Sequence, residues 1–336
     1  MNNHRPNETS IAIIGAGISG LSCATQLKAL GFQVQVFEKS RGPSGRMSTR
    51  NGNNWSADHG AQYFTARDPL FIQELNTWIR AGVAAEWHPL LKVYDDGHWR
   101  ESSSVENRYI GIPTMNSPGK YLAKNLSIEF GKTIDSISRQ NNKWCQHSLE
   151  TGNIEQQFDY LILALPAPQT FTLTNLVDPS IAEKNKVDIF GCWTVMASFA
   201  EKQNIPFDAA FINGQMINWI ARNNSKLGRE GLETWTIHAN PEWSQQWIEL
   251  DKDEAGKRIL ECAKGLGLDC QNAQLSINRW RYASGFMEIN PGFTVFDNIQ
   301  LGLCGDWLHG GRVEGAWLSG YKLANEISIN TTSFNE

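Results

Sequence analysis

Gly15-Ala16-Gly17-Ile18-Ser19-Gly20 directly follows the apolar run Ile11 to Ile14, which reads as a strand buried on both faces. At that place Gly15 permits a tight turn and Gly17 lets backbone approach a pyrophosphate. Gly20 permits close packing of helix on strand. A helix opening near Ile18 would aim its free N–H groups and positive dipole end at the phosphates, with Ser19 in its first turn. Glu38 stands 18 residues after Gly20, at the end of a second strand, where a carboxylate accepts hydrogen bonds from a ribose diol. It disfavours a 2′-phosphate by repulsion, but it does not separate NAD from FAD.

Two further clusters bear on that choice. In Gly42-Pro43-Ser44-Gly45-Arg46-Met47, Arg46 follows a flexible turn and can offer a guanidinium fork to phosphate oxygens. Far along the chain, an apolar strand ends in Cys304-Gly305-Asp306, and Gly310-Gly311-Arg312-Val313-Glu314-Gly315-Ala316 then opens a helix. Asp306 is an acceptor suited to the hydroxyls of a flavin's sugar-alcohol chain. The helix N-terminus there suits the pyrimidine edge of a flavin and would stabilise negative charge on its reduced form. An enzyme using nicotinamide alone has no need of this second element.

Other chemistries leave no trace in the sequence. There is no Ser/His/Asp set, no carboxylate pair at catalytic spacing and no metal-ligand cluster, so neither a catalytic side chain nor a metal is expected. The six cysteines form no CxxC pair and read as reduced, cytosolic thiols. His238 lies on an apolar strand with Trp235 and Ile237, which favours a buried, hydrogen-bonded histidine over a catalytic one. Arg222 and Lys226, in Trp219 to Lys226, are candidates for steering an anionic dinucleotide.

The elements that must position these residues follow from periodicity. Strands are expected at 11–14, 33–38, 158–165 and 300–304, and strand-like runs over 187–239. Helices are expected at 21–30, 69–81, 118–126, 244–266 and 311–327. A loop covers 40–54, a small antiparallel sheet lies within 84–113, and strands in 128–137 return to the first sheet. The plan is a discontinuous dinucleotide-binding unit of residues 8–70, 118–170 and 285–330. A second unit for substrate, 71–117 and 171–284, is inserted into it. With 336 residues, 41% hydrophobic and 19% charged, the chain has a sizeable core. A net charge of −5 argues against nucleic acid or a membrane surface as partner. No stretch reaches the roughly 18 apolar residues of a membrane span, and the polar Met1 to Ser10 is no leader, so a cytoplasmic protein is expected.

Longer stretches resemble a family. Glu38-Lys39-Ser40-Arg41-Gly42, Gly45-Arg46-Met47-Ser48, Asp58-His59-Gly60-Ala61-Gln62-Tyr63-Phe64-Thr65-Ala66-Arg67, Cys304-Gly305-Asp306-Trp307 and Gly311-Arg312-Val313-Glu314-Gly315-Ala316-Trp317-Leu318-Ser319-Gly320 closely resemble the bacterial renalases. These are small relatives of the amine oxidase and p-hydroxybenzoate hydroxylase flavoproteins. The resemblance runs from Ile11 to about Ile327. It implies an α/β fold, with a Rossmann-like FAD-binding domain and an inserted mixed β-sheet substrate domain.

By the same resemblance FAD is held non-covalently. Ile18, Glu38, Lys39, Arg46, Met47, Gln62, Tyr63, Gly305, Asp306, Arg312, Val313 and Gly315 join the fingerprint glycines as cofactor contacts, and Ile134 meets the adenine through its backbone. Tyr63, Phe64, Thr65, Ala66, Arg67 and His238 are the candidate substrate wall, and Trp280 and Trp307, which follow motif-bearing segments, are candidates to flank the flavin. The implied reaction takes a hydride from isomeric dihydro-NAD(P), the 2-dihydro form favoured, to flavin N5. It releases NAD(P)+ and passes electrons to O2, giving H2O2. Such a transfer needs orientation more than proton transfer. A monomer or homodimer is expected. The alternatives are a flavin amine oxidase or desaturase, a colourless nicotinamide-dependent dehydrogenase, and a flavin-binding protein with no turnover.

Overall fold

A computed structural model of the chain describes residues 8–287 and 289–333. Six strands form a first sheet in the order Thr294–Phe296, Leu301–Leu303, Tyr160–Leu163, Ser10–Ile14, Gln33–Glu38 and Ser127–Phe130. All neighbours are parallel except Thr294–Phe296, an antiparallel edge. Alternation sends Ile11, Ile13, Val36 and Ile162 into one core with Leu21 and Leu27 of helix Ile18–Ala29 and with Leu323 and Ile327 of helix Val313–Ser333. Ala12, Ile14, Phe37, Leu161 and Leu163 pack oppositely on Trp144, Phe158 and Leu308. Covering both faces is what makes these strands apolar throughout.

A second, mixed sheet has seven strands: Gln274–Ser284, Phe190–Phe199, Glu233–Ala239, Ile217–Arg222, Ala209–Ile212, Leu91–Asp95 and His98–Glu101. Only the pairing of Leu91–Asp95 with Ala209–Ile212 is parallel. Trp193, Val195 and Ile237 meet Ala255, Ile259 and Ala263 of helix Lys252–Gly265 to form its core. Among the described residues no helix is long and apolar enough to cross a membrane.

Several local expectations are corrected. Within the expected loop 40–54, Thr49–Gly52 pairs with Trp55–Asp58 as a hairpin whose turn uses Asn54 at positive φ. Ser127–Phe130 does join the first sheet, but Ile134–Gln140 leaves it for a separate three-stranded sheet. Gly131 at φ 68° redirects the chain, and Asn141-Asn142, both at positive φ, close the new hairpin with Lys143–Ser148, as a twist-matched two-residue turn requires. The expected helix 244–266 is two helices, Pro241–Gln246 and Lys252–Gly265, because Asp251 accepts from the N–H groups of Asp253 and Glu254 and starts the second afresh. Helices Ala167–Asn175 and Pro179–Lys184 lack a clear apolar stripe and escape a periodicity reading.

The first sheet's helices approach backbone to backbone. A Cβ on Gly20 would lie 2.0 Å from the Gly15 carbonyl oxygen, and one on Gly320 2.0 Å from that of Ser19. One on Gly17 would meet nothing within 4 Å. Gly320→Ala should therefore lower stability by about 1–3 kcal/mol through overpacking, while Gly17→Ala stays within about 0.5 kcal/mol. Urea titration followed by tryptophan fluorescence measures both.

Candidate functional site

A cavity of about 1350 Å³ is lined by residues of both sheets, larger than the usual range of roughly 300–1,000 Å³ for small-molecule pockets. At one end the turn after Ser10–Ile14 brings Gly15, Gly17, Ile18 and Ser19 to its wall. Helix Ile18–Ala29 has Gly17 as N-cap, without a side-chain cap and without an acid in its first turn. Its first N–H groups and dipole are thus available to an anion. Glu38 accepts from the N–H of Ala16 at 2.7 Å and from that of Ser40 at 2.8 Å, one bond to each carboxylate oxygen. Each oxygen keeps a lone pair for a diol. Ile134, Lys39 and Met47 also reach the wall, and the buried hydroxyl of Ser44 has no protein partner there. These features fit a dinucleotide.

Gly305, Asp306, Arg312 and Val313 lie on the same cavity, so the fingerprint and the far C-terminal motif share one space. Arg46 and Asp306 form an ion pair with each other, and Arg46 also donates to the Ala283 carbonyl at 3.0 Å. Gly20, Gln62, Ala66 and Gly315 are not on the wall. Gly20 and Gly315 serve close packing instead, Gly315 against the His309 carbonyl. Gln62 turns inward, donating to the carbonyls of Asp58 and Gly60 and accepting from Lys226.

The cavity extends to a chamber bounded by Tyr63, His59, Trp280, Asn218, His238 and Cys192. Tyr63 leans on Trp219 and Trp87, with the Arg108 guanidinium 5.3 Å from its ring centre; burial pushes its hydroxyl pKa up, against the pull of Arg108. Trp280 stacks on His59 with centroids 5.0 Å apart and donates to the His59 carbonyl. Phe64 reaches the wall, yet its ring is mostly core, against Phe71, Trp78 and Tyr109. Thr65 and Arg67 sit nearer the mouth, where Arg67 pairs with Glu106. Trp307 is buried, donating to the Leu165 carbonyl.

Two steering candidates are displaced. Arg222 is held by Asp208, Glu233 and the Ile205 carbonyl and lies over Trp235. Lys226 is fully buried: its ammonium lies 3.0 Å from Asp58, which also binds Arg229 at 2.8 Å, and all three side chains are 0% exposed. Burial opposes the Asp58 carboxylate, but Lys226 and Arg229 outweigh it and hold its pKa below the usual value. Burial pulls Lys226 down to about 8 against the attraction of Asp58. Nothing in the one-dimensional pattern separates this lysine from a surface one, although the preceding Asn223-Asn224 hints at a structured turn.

With this geometry in view, similarity to known proteins is informative. Residues 13–74 match the NAD(P)-binding Rossmann-like domain. Renalase of Mus musculus is 26% identical over 271 residues, covering 75% of this chain and 78% of the mouse protein. The whole fold is similar to a putative protoporphyrinogen oxidase from Exiguobacterium, with a TM-score of 0.78, 12% identity and coverage of 96% of this chain and 99% of that one. Cyclohexylamine oxidase from Brevibacterium oxydans has a TM-score of 0.75 at 12% identity, with the same coverage of each chain. The solved structures share the fold, and the site built on it fits a dinucleotide cofactor of the FAD kind.

Two histidines of the chamber make the site acid-sensitive. Burial, with Arg50 nearby, lowers the His59 pKa to about 4, and burial chiefly lowers His238 to about 4. Both are neutral when folded, whereas the unfolded chain binds their protons near pH 6.5. The unfolded state therefore carries more protons between about pH 4 and 6.5, and stability falls as pH drops through that window. Calorimetry from pH 7 to 4 should show the melting temperature falling, with a shallower slope in His238→Asn.

Proposed function

We propose that the chain is a renalase-like oxidase of isomeric dihydro-NAD(P), the 2-dihydro form favoured, yielding NAD(P)+ and, with O2, H2O2. The observation that carries this reading is the continuity of the dinucleotide cavity with an aromatic chamber that offers no acid–base pair. The likeness to mouse renalase over 75% of the chain supports it. FAD, held non-covalently, supplies the hydride acceptor and hands the electrons to O2.

In this reading residues 8–70, 118–170 and 285–330 bind FAD, and 71–117 with 171–284 shape the substrate space. The Gly15–Gly20 turn takes the pyrophosphate, Glu38 the adenosine ribose and the Ile134 backbone the adenine. Asp306 takes the sugar-alcohol chain, and the Arg312–Val313 helix start takes the pyrimidine edge. Arg46 exchanges part of its pairing with Asp306 for phosphate oxygens. Tyr63 and Trp280 supply flat apolar walls that orient a dihydropyridine ring and exclude water. Asn218 Oδ1 and His238 Nε2, both buried and without a protein hydrogen-bond partner, suit the amide of a nicotinamide. Arg67 at the mouth suits its phosphates.

The fold likeness to cyclohexylamine oxidase keeps amine oxidation as the competing reading. Mixing the FAD-loaded protein anaerobically with 2-dihydro-NAD in a stopped-flow instrument decides between them. Loss of flavin absorbance within seconds, restored by O2 with one H2O2 per substrate, is expected. A flavin bleached by primary amines and untouched by either the 2- or the 6-dihydro isomer would overturn the proposal. Glu38→Gln should weaken FAD retention on gel filtration at least tenfold, consistent with loss of a charge-assisted bond worth about 1.5–3 kcal/mol.

A further inference from the structure

The Asp58–Lys226–Arg229 cluster carries two cations on one carboxylate with no water contact at any of the three side chains. Buried ion pairs recover their desolvation cost poorly, and an unbalanced one worse. Arg229 alone already satisfies Asp58, and it also donates to the carbonyls of Gly111 and Pro113. The fold therefore gives no reason for the second cation.

Its surroundings do. Lys226 donates to Gln62 Oε1 at 3.3 Å, and Gln62 Nε2 reaches the Gly60 carbonyl at 3.2 Å. Gly60 and Ala61 are cavity wall. The ammonium also lies over the Trp87 ring, 5.3 Å from its centre, and Trp87 packs on Tyr63 of the same wall. Its field is felt inside the cavity, where it opposes protonation of His238. A surplus positive charge thus lies just behind the Gly60–Tyr63 turn, in a medium that screens it weakly.

We propose that Lys226 is an electrostatic positioning residue: its buried surplus charge, acting through the Gly60–Gln62 turn and not by contact, favours the reduced over the oxidised state of the FAD in this cavity. A hydride is a proton with two electrons, so its arrival adds one net negative charge to the acceptor. A fixed cation behind the wall compensates that charge. This rests on the proposed two-electron use of the cavity and not on which molecule donates the hydride.

The test is an equilibrium reduction of FAD-loaded protein against a redox dye, which needs no dihydro-NAD(P). Lys226→Met keeps the Asp58–Arg229 pair and removes only the surplus charge. It should weaken the reduced relative to the oxidised state at least tenfold at pH 7, a fall of about 30 mV for a two-electron couple. Lys226→Arg should stay within twofold of wild type. An unchanged potential in a Lys226→Met protein that binds FAD and unfolds like wild type overturns the proposal.

Wild-type protein alone gives a second reading should that variant not fold. The charged and titratable groups facing Lys226 are Asp58 from the hairpin, Arg229 from its own turn and His238 from strand Glu233–Ala239. Asp58, held below its usual value, stays charged and His238 stays neutral above pH 6, and a guanidinium does not lose its proton in proteins. Lys226, at about 8, is then the group that changes. Above that pH, reduction should draw a proton back onto it, so proton uptake per two electrons passes through a maximum between pH 7 and 9.5, about half a proton above its pH 7 value for a tenfold effect. Uptake that is flat across this range overturns the proposal as well. If dihydro-NAD(P) fails as substrate while both shifts appear, only the donor assignment falls.

Discussion

Asp58 ends a hairpin whose strands belong to neither large sheet, yet its carboxylate and backbone meet three other parts of the chain. Lys226 and Arg229 bind the carboxylate from the turn after Ile217–Arg222, and Thr49 donates to it across the hairpin. Asn223 accepts from its backbone N–H, and Thr236 donates to its carbonyl from the second sheet. Arg229 carries the tie on to Gly111 and Pro113. Because Lys226, Arg229, Asn223 and Thr236 are buried, their bonds are not readily exchanged for water, and removing the acid would strand two cations in a dry interior. The cavity wall from His59 to Tyr63 begins at this residue and inherits its fixity.

A second constraint acts at the other side of the same cavity. Gly15, Gly20 and Gly320 let strand, turn and two helices come within a carbonyl's width of one another. That approach leaves the space over Gly17 open, with an uncapped helix end facing it. The dinucleotide end of the site is thus a by-product of close backbone packing, while the chamber end depends on buried charge. The long strand Gln274–Ser284 joins them. Arg50 of the hairpin donates to Ser276 and Asn278, Trp280 stacks on His59, and the Ala283 carbonyl accepts from Arg46.

What the sequence makes legible follows this division. Gly15 to Glu38 is local: strand, turn, helix and acid lie within 28 residues, and each type has one physical reason to be there. Asp306 and Val313 are legible because a strand end and a helix start flank them. Lys226 and Arg229 are not, because their meaning is burial, and burial depends on partners 100 or more residues away. Gln62 belongs to a motif-rich stretch, and that its amide is engaged by Asp58, Gly60 and Lys226 is a fact of burial that the motif does not record. Periodicity failed at 244–266, since a helix pattern does not record that Asp251 caps a second helix inside it. It failed again at Ile134–Gln140, where two asparagines at positive φ decide the pairing.

The chamber's electrostatics explain why its polar groups need not trade protons. His59 and His238 are kept neutral first by burial, with Arg50 adding to the effect on the one and Lys226 on the other. Burial likewise keeps the Tyr63 and Cys192 protons in place, the latter up to about 12. A wall built this way offers fixed dipoles and hydrogen-bond sites at neutral pH but no ready general acid or base. Such a wall suits a reaction in which one carbon–hydrogen bond passes a hydride to a bound acceptor. Holding two flat rings in register then matters more than moving a proton. The surplus cation and the neutral histidines serve this together, since the charge that favours electron arrival also keeps His238 from becoming a competing positive centre within the cavity.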